Sequence, residues 1–159
     1  MALVLGAVAL TALPEAALGQ TATNQWFRVV SAGPPGAART VIANGVITGV
    51  GTEVIESNPS GVATVKWTFP DGTVSVRIDF TFAGDLNPTT CLRTLTLKGT
   101  WEITGATGAY AGATGGGDFS GTNRILLSRT ENGCAPPPVF LAQVFVFTGH
   151  VTLGANLAA

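Results

Sequence analysis

Few side chains in this sequence could carry covalent chemistry. It holds two cysteines, Cys91 and Cys134, and one histidine, His150. A metal site needs three or four ligands gathered together, and one His with two distant Cys does not supply them, so no metal is expected. A nucleophilic thiol needs a base beside it, and His150 sits in a separate apolar stretch. The cysteines stand 43 positions apart, each beside a proline-containing turn (Asn87-Pro88-Thr89-Thr90 and Pro136-Pro137-Pro138). They read better as a disulfide, Cys91–Cys134, than as reactive thiols. His150 lies near a strand end on the face of Val144, Val146 and Thr148, with no second titratable residue placed beside it, and reads as a surface histidine. Two other pairs invite a catalytic reading, Arg77 with Asp79 and Lys98 with Glu102. Both fall mid-strand on the polar side of an alternating pattern, where exposed ion pairs are worth under about 1 kcal/mol.

The remaining candidates are groups that bind rather than react. Trp67, Phe80, Trp101, Tyr110 and Phe119 supply aromatic surface, and Asn123 and Gln143 are amides that alternation places among apolar neighbours. A buried amide must be hydrogen-bonded, to its neighbours or to a ligand. Asn44 is a further amide whose strand is apolar on both sides, so its facing is open.

Strands must position these residues. Asn24–Ser31 is a first short strand, and Arg39–Ile55 a long β-branched one interrupted by Gly45, Gly49 and Gly51, which mark bends or bulges. Val62–Phe69 and Thr73–Phe82, joined through Pro70-Asp71-Gly72, form the clearest hairpin signal. Cys91–Thr104, Asp118–Arg129 and Val139–Leu153 follow. Alternation is clean over four consecutive strands: Val65, Trp67 and Phe69; Val74, Val76, Ile78, Phe80 and Phe82; Leu95, Leu97, Trp101 and Ile103; Phe119, Asn123, Ile125 and Leu127. Such a period puts one apolar face inside and nearly every charge outside. No stretch shows a helical period, so little helix is expected. The fold class is all-β, a closed antiparallel β-barrel of about eight strands. Closure suits long strands bent at glycines and removes exposed edges; a two-sheet sandwich is the alternative.

Composition narrows the class further. Of 159 residues, 11% are charged and the formal net charge is −1, which excludes the basic footprint of a nucleic-acid binder. An apolar content of 46% excludes a disordered chain. Met1–Leu13 is apolar and uncharged, and small residues follow at Ala17-Leu18-Gly19. Residues 1–19 are therefore expected to be a signal peptide, too short to span a bilayer at about 20 residues. A buried N-terminal element is the alternative. Residues 20–159 then form one barrel domain, exported and without a membrane span.

The stretch from Ile103 to Phe119 holds Gly-Ala-Thr-Gly twice. It is neither a phosphate loop nor a dinucleotide fingerprint, since no Gly-Lys-Ser/Thr follows and no helix opens after it. A compact strand connection with Tyr110 turned inward fits its composition. The series Thr104-Gly105, Gly108-Ala109-Tyr110 and Gly112-Ala113, with Gly115–Gly117 opening the next strand, resembles the allene oxide cyclase barrel family and, more distantly, the dirigent proteins. Pro70-Asp71-Gly72-Thr73-Val74-Ser75-Val76 is similar to a strand-starting turn of that family. The likeness covers Pro70 to Phe119, and the whole layout is similar to that of small secreted actinobacterial members. It implies a calycin-like eight-stranded barrel with an apolar lumen, no cofactor, and dimer or trimer assembly as a homo-oligomer. In the cyclases an early strand carries an acid-containing motif that works on an epoxide. The first strand here, Asn24-Gln25-Trp26-Phe27-Arg28-Val29-Val30, has no acid, so no catalytic residue carries over.

The expected function is the holding of a small apolar ligand in the lumen, or a structural role. Two alternatives stand beside it: a cofactor-free cyclase or isomerase, and a protein-interaction module. A lumen packed solid by Trp67, Phe80, Trp101 and Phe119 would leave the structural or interaction reading. A ligand site needs a cavity of at least about 300 Å³, and an enzyme further needs a titratable group facing into it.

Overall fold

The computed structural model describes residues 21–154; the expected signal peptide at 1–19 lies outside the described residues. Eight strands follow one another: β1 (Thr23–Gly33), β2 (Arg39–Asn44), β3 (Gly49–Ser57), β4 (Val62–Phe69), β5 (Gly72–Asn87), β6 (Leu92–Ala106), β7 (Thr114–Thr130) and β8 (Gly133–Thr152). Each pairs antiparallel with the next, and β8 pairs with β1 along its length, so the sheet closes as a barrel. One 3-10 turn, Gly108–Tyr110, is the helical element among the described residues, and it carries the buried Tyr110.

Alternation places the core where the clean strands predict it, except at Phe82, which lies beyond the core on the long upper part of its strand and is exposed. Val65, Trp67, Val74, Val76, Ile78, Trp101 and Phe119 are buried, while Arg77, Lys66, Lys98 and Glu102 are exposed. Arg77 donates to Asp79 at 2.8 and 2.9 Å across open surface, as a solubilising pair would.

The stretch from Arg39 to Ile55 departs from the expectation. It is two strands, folded back at Gly45–Thr48. Gly45 takes φ +143°, and a Cβ there would run into the Gln25 side chain. Gln25 is the reason that the turn closes: its buried amide accepts from Ile47 N at 3.0 Å and donates to Ile47 O at 2.9 Å and Asn44 O at 3.1 Å. Asn44 itself is exposed on the outer wall, and is not a lumen residue. Ile42, Val50 and Val54 also face out. Both faces of this hairpin therefore carry apolar residues, which hides its register from alternation.

The strands β5 to β8 are longer than β1 to β4 and rise past them at one end of the barrel. Their hairpin tips are tied by the disulfide Cys91–Cys134, with Cα atoms 5.2 Å apart. Arg129 reinforces the tie by donating to the Pro88 and Thr89 carbonyls. At the opposite end Tyr110 meets Phe69 edge-on at 6.0 Å and stoppers the barrel.

Candidate functional site

The lumen divides into a packed part and an open part. Phe27 and Trp67 lie 4.5 Å apart, Trp67 and Phe147 5.1 Å, Phe27 and Trp101 5.5 Å, and Phe119 and Phe147 4.9 Å. These rings form an aromatic plug. Trp101 also donates its indole N–H to Thr148 O at 3.2 Å, which satisfies its one polar atom. Beyond the plug, toward the β3–β4 turn at Asn58–Gly61, a cavity of about 370 Å³ remains. Phe119 and Phe147 contribute to its floor, and Ile78, Phe80, Leu95, Leu97 and Phe145 to its walls.

Of the aromatic and amide residues singled out from the sequence, Phe80, Phe119, Asn123 and Gln143 line this cavity. Trp67 and Trp101 belong to the plug, and Tyr110 to the far stopper, so these three do not line it. The two amides are brought together as cross-strand partners, since Asn123 on β7 pairs with Gln143 on β8. His150 is exposed on the outer wall.

Nearly every charge among the described residues faces water, as expected, but two in the β2–β3 hairpin, outside the cleanly alternating strands, do not. Arg39 on β2 and Glu53 on β3 are cross-strand partners with both side chains turned into the lumen. Their side chains are 12% and 2% exposed, and Arg39 Nη1 lies 2.8 Å from Glu53 Oε1. The second carboxylate oxygen accepts from Trp67 Nε1 at 2.7 Å. Arg39 Nη2 donates to Gln143 Oε1 at 3.0 Å, and its guanidinium lies 5.4 Å from the Phe145 ring centre. A polar belt therefore crosses the lumen, through Gln143, Arg39 and Glu53 to Trp67, with Asn123 beside Gln143 at its end.

Burial raises the Glu53 carboxyl above the ordinary glutamate value; the Arg39 charge and the Trp67 hydrogen bond pull it back down without cancelling the effect. Two atoms of the belt have no partner. Arg39 Nε and Asn123 Oδ1 are buried and make no hydrogen bond. Such orphans are rare in native interiors, where desolvating a polar group without a partner costs about 1–3 kcal/mol.

The sequence carries a signal for the turn but not for the pairing. Asn44-Gly45 flanked by β-branched residues is a hairpin-turn signature. A two-residue turn there would set Arg39 opposite Val50. The observed four-residue turn, Gly45–Thr48, pairs Ala43 with Gly49 and so brings Arg39 opposite Glu53, on the face of Val41 and Ala43. Among the described residues no group of His, Cys, Asp and Glu could hold a metal ion, and no helix is long and apolar enough to cross a membrane. Comparison of the chain with protein-family models, with curated proteins and with solved structures finds no match.

Proposed function

We propose that this protein is an exported carrier that holds a small, mainly apolar molecule inside its barrel. The observation that carries the reading is the cavity of about 370 Å³ above the aromatic plug, walled by aromatic and aliphatic side chains and crossed by a few fixed polar groups. Small-molecule sites are built this way, with apolar walls supplying affinity and sparse polar groups supplying orientation. Its volume corresponds to roughly a dozen water-sized groups at about 30 Å³ each. Burying apolar surface contributes about 25 cal/mol per Å² before the costs of association. The disulfide suits an oxidising compartment, in keeping with residues 1–19 as a signal for export.

Fluorescence of N-phenyl-1-naphthylamine, a neutral apolar dye, tests the carrier reading. Wild-type protein should bind it with a blue-shifted, enhanced emission. Ala63→Phe, which projects a ring into the cavity, should abolish the signal while circular dichroism stays β-rich. Absence of enhancement with the wild type, or an equal signal from Ala63→Phe, overturns the reading.

A second reading has one observation in its favour. Glu53 is a buried carboxyl at the cavity wall whose proton affinity is raised, the property expected of a general acid. A cofactor-free isomerase of the allene oxide cyclase type would use it to protonate an oxygen of a bound substrate. Glu53→Gln should then abolish turnover and leave dye binding intact; retained turnover excludes Glu53 from that role.

A further inference from the structure

We infer that the ligand is an uncharged molecule bearing a hydroxyl group, not a carboxylate; this rests on the carrier reading above. The charge balance of the lumen decides between the two. Arg39 is the cation on the cavity wall, and its charge is already matched by Glu53 at 2.8 Å. Its second terminal nitrogen is committed to Gln143 at 3.0 Å. Glu53 is held in turn by Trp67 at 2.7 Å. A carboxylate brought into this site would be a second anion facing a cation that is already neutralised. It would have to shed its water and keep an uncompensated charge in an apolar chamber, or displace Glu53 and strand that carboxylate instead. Either course is heavily penalised. An ammonium ligand meets the mirror-image difficulty, because both carboxylate oxygens of Glu53 are engaged.

The atoms left over point to the favoured group. Arg39 Nε is a donor without an acceptor, and Asn123 Oδ1 an acceptor without a donor. A hydroxyl carries one donor hydrogen and two acceptor lone pairs, so it can serve either kind of orphan, the donor or the acceptor. A ketone or ether supplies only the acceptor, and a hydrocarbon supplies neither. Residues lining the cavity on the other side, Ile78, Phe80, Leu95 and Leu97, are apolar and accept an alkyl or ring body. An alcohol with an apolar tail is the chemistry that this arrangement completes.

Undecan-1-ol and undecanoate form a matched pair that differs only in the head group. Titrations of the disulfide-intact protein at pH 7.5, followed by displacement of N-phenyl-1-naphthylamine, compare them directly. The alcohol should bind at least tenfold more tightly than the carboxylate. Asn123→Leu should weaken the alcohol three- to tenfold more than it changes dye affinity, because it removes the carboxamide and keeps the branched shape. Asn123→Ser, which retains a small polar group, should lie between. Equal or tighter binding of undecanoate, or an unchanged alcohol affinity in both variants, overturns the hydroxyl assignment while leaving the carrier reading standing. Failure of dye and both probes to bind overturns the carrier reading, and this inference with it.

Discussion

Glu53 and Arg39 concentrate the energetics of the lumen into one contact. Removing one member of a buried ion pair leaves the other charge unmatched, at a cost of about 3–5 kcal/mol. Glu53→Ala should therefore lower unfolding stability by that amount in urea titrations. The double variant Arg39→Met with Glu53→Gln should recover most of the loss, because it removes both charges and keeps an acceptor for Trp67 Nε1. A double variant as unstable as Glu53→Ala would show that the charges are not the source. The raised Glu53 carboxyl also makes a pH prediction of definite sign. Its folded value lies above the reference value of 4.5, so the folded state holds the proton more tightly than the unfolded chain. The associated stability is complete below that reference and is lost as pH rises through the folded value. Stability of wild type minus that of Glu53→Gln should accordingly fall as pH climbs from 4.5, with a slope no steeper than about 1.4 kcal/mol per pH unit. A difference that rises with pH would mean that Arg39 and Trp67 outweigh burial. These two residues were the part of the site least legible in the sequence, because a charge on a strand reads as outward-facing unless its cross-strand partner is known.

Among the elements, legibility followed the contrast between faces. The β4–β5 hairpin alternates strictly between apolar and polar residues and is joined by Pro70-Asp71, so its register could be read directly. The β2–β3 hairpin has Val41 and Ala43 on one face and Ile42 and Val50 on the other, and alternation gives no preference there. Its turn depends on the Gln25 amide from β1, a contact between segments that no local pattern encodes. The upper hairpins depend on a covalent tie. Closing the 43-residue separation between Cys91 and Cys134 stabilises the fold by about 4 kcal/mol in the chain-entropy model. Replacing both cysteines with serine should lower the unfolding free energy by about that amount, with the native β-rich circular dichroism retained. A loss below about 1 kcal/mol would mean that Arg129 and the strand pairing hold the tips together without it.

At the scale of the whole molecule, closure does two jobs. Pairing β8 with β1 closes the sheet and leaves no open edge for another chain to pair with. It also creates an interior whose filling is uneven, with five aromatic rings (Phe27, Trp67, Trp101, Phe119 and Phe147) clustered across the middle and space left above them. The barrel was legible from glycine-punctuated strands and one-faced alternation. The division into plug and cavity was not, since Trp67 and Phe80 share the same inward parity and differ only in height along the axis. The central claim is that this upper chamber is where a ligand sits. Nuclear Overhauser contacts between undecan-1-ol and the methyl-labelled protein test it most directly. Cross-peaks should connect the alkyl chain to Ile78, Leu95 and Leu97, which line the cavity. Contacts confined to Val50, Val54 and Val144, whose side chains lie on the exposed outer wall, would contradict the account.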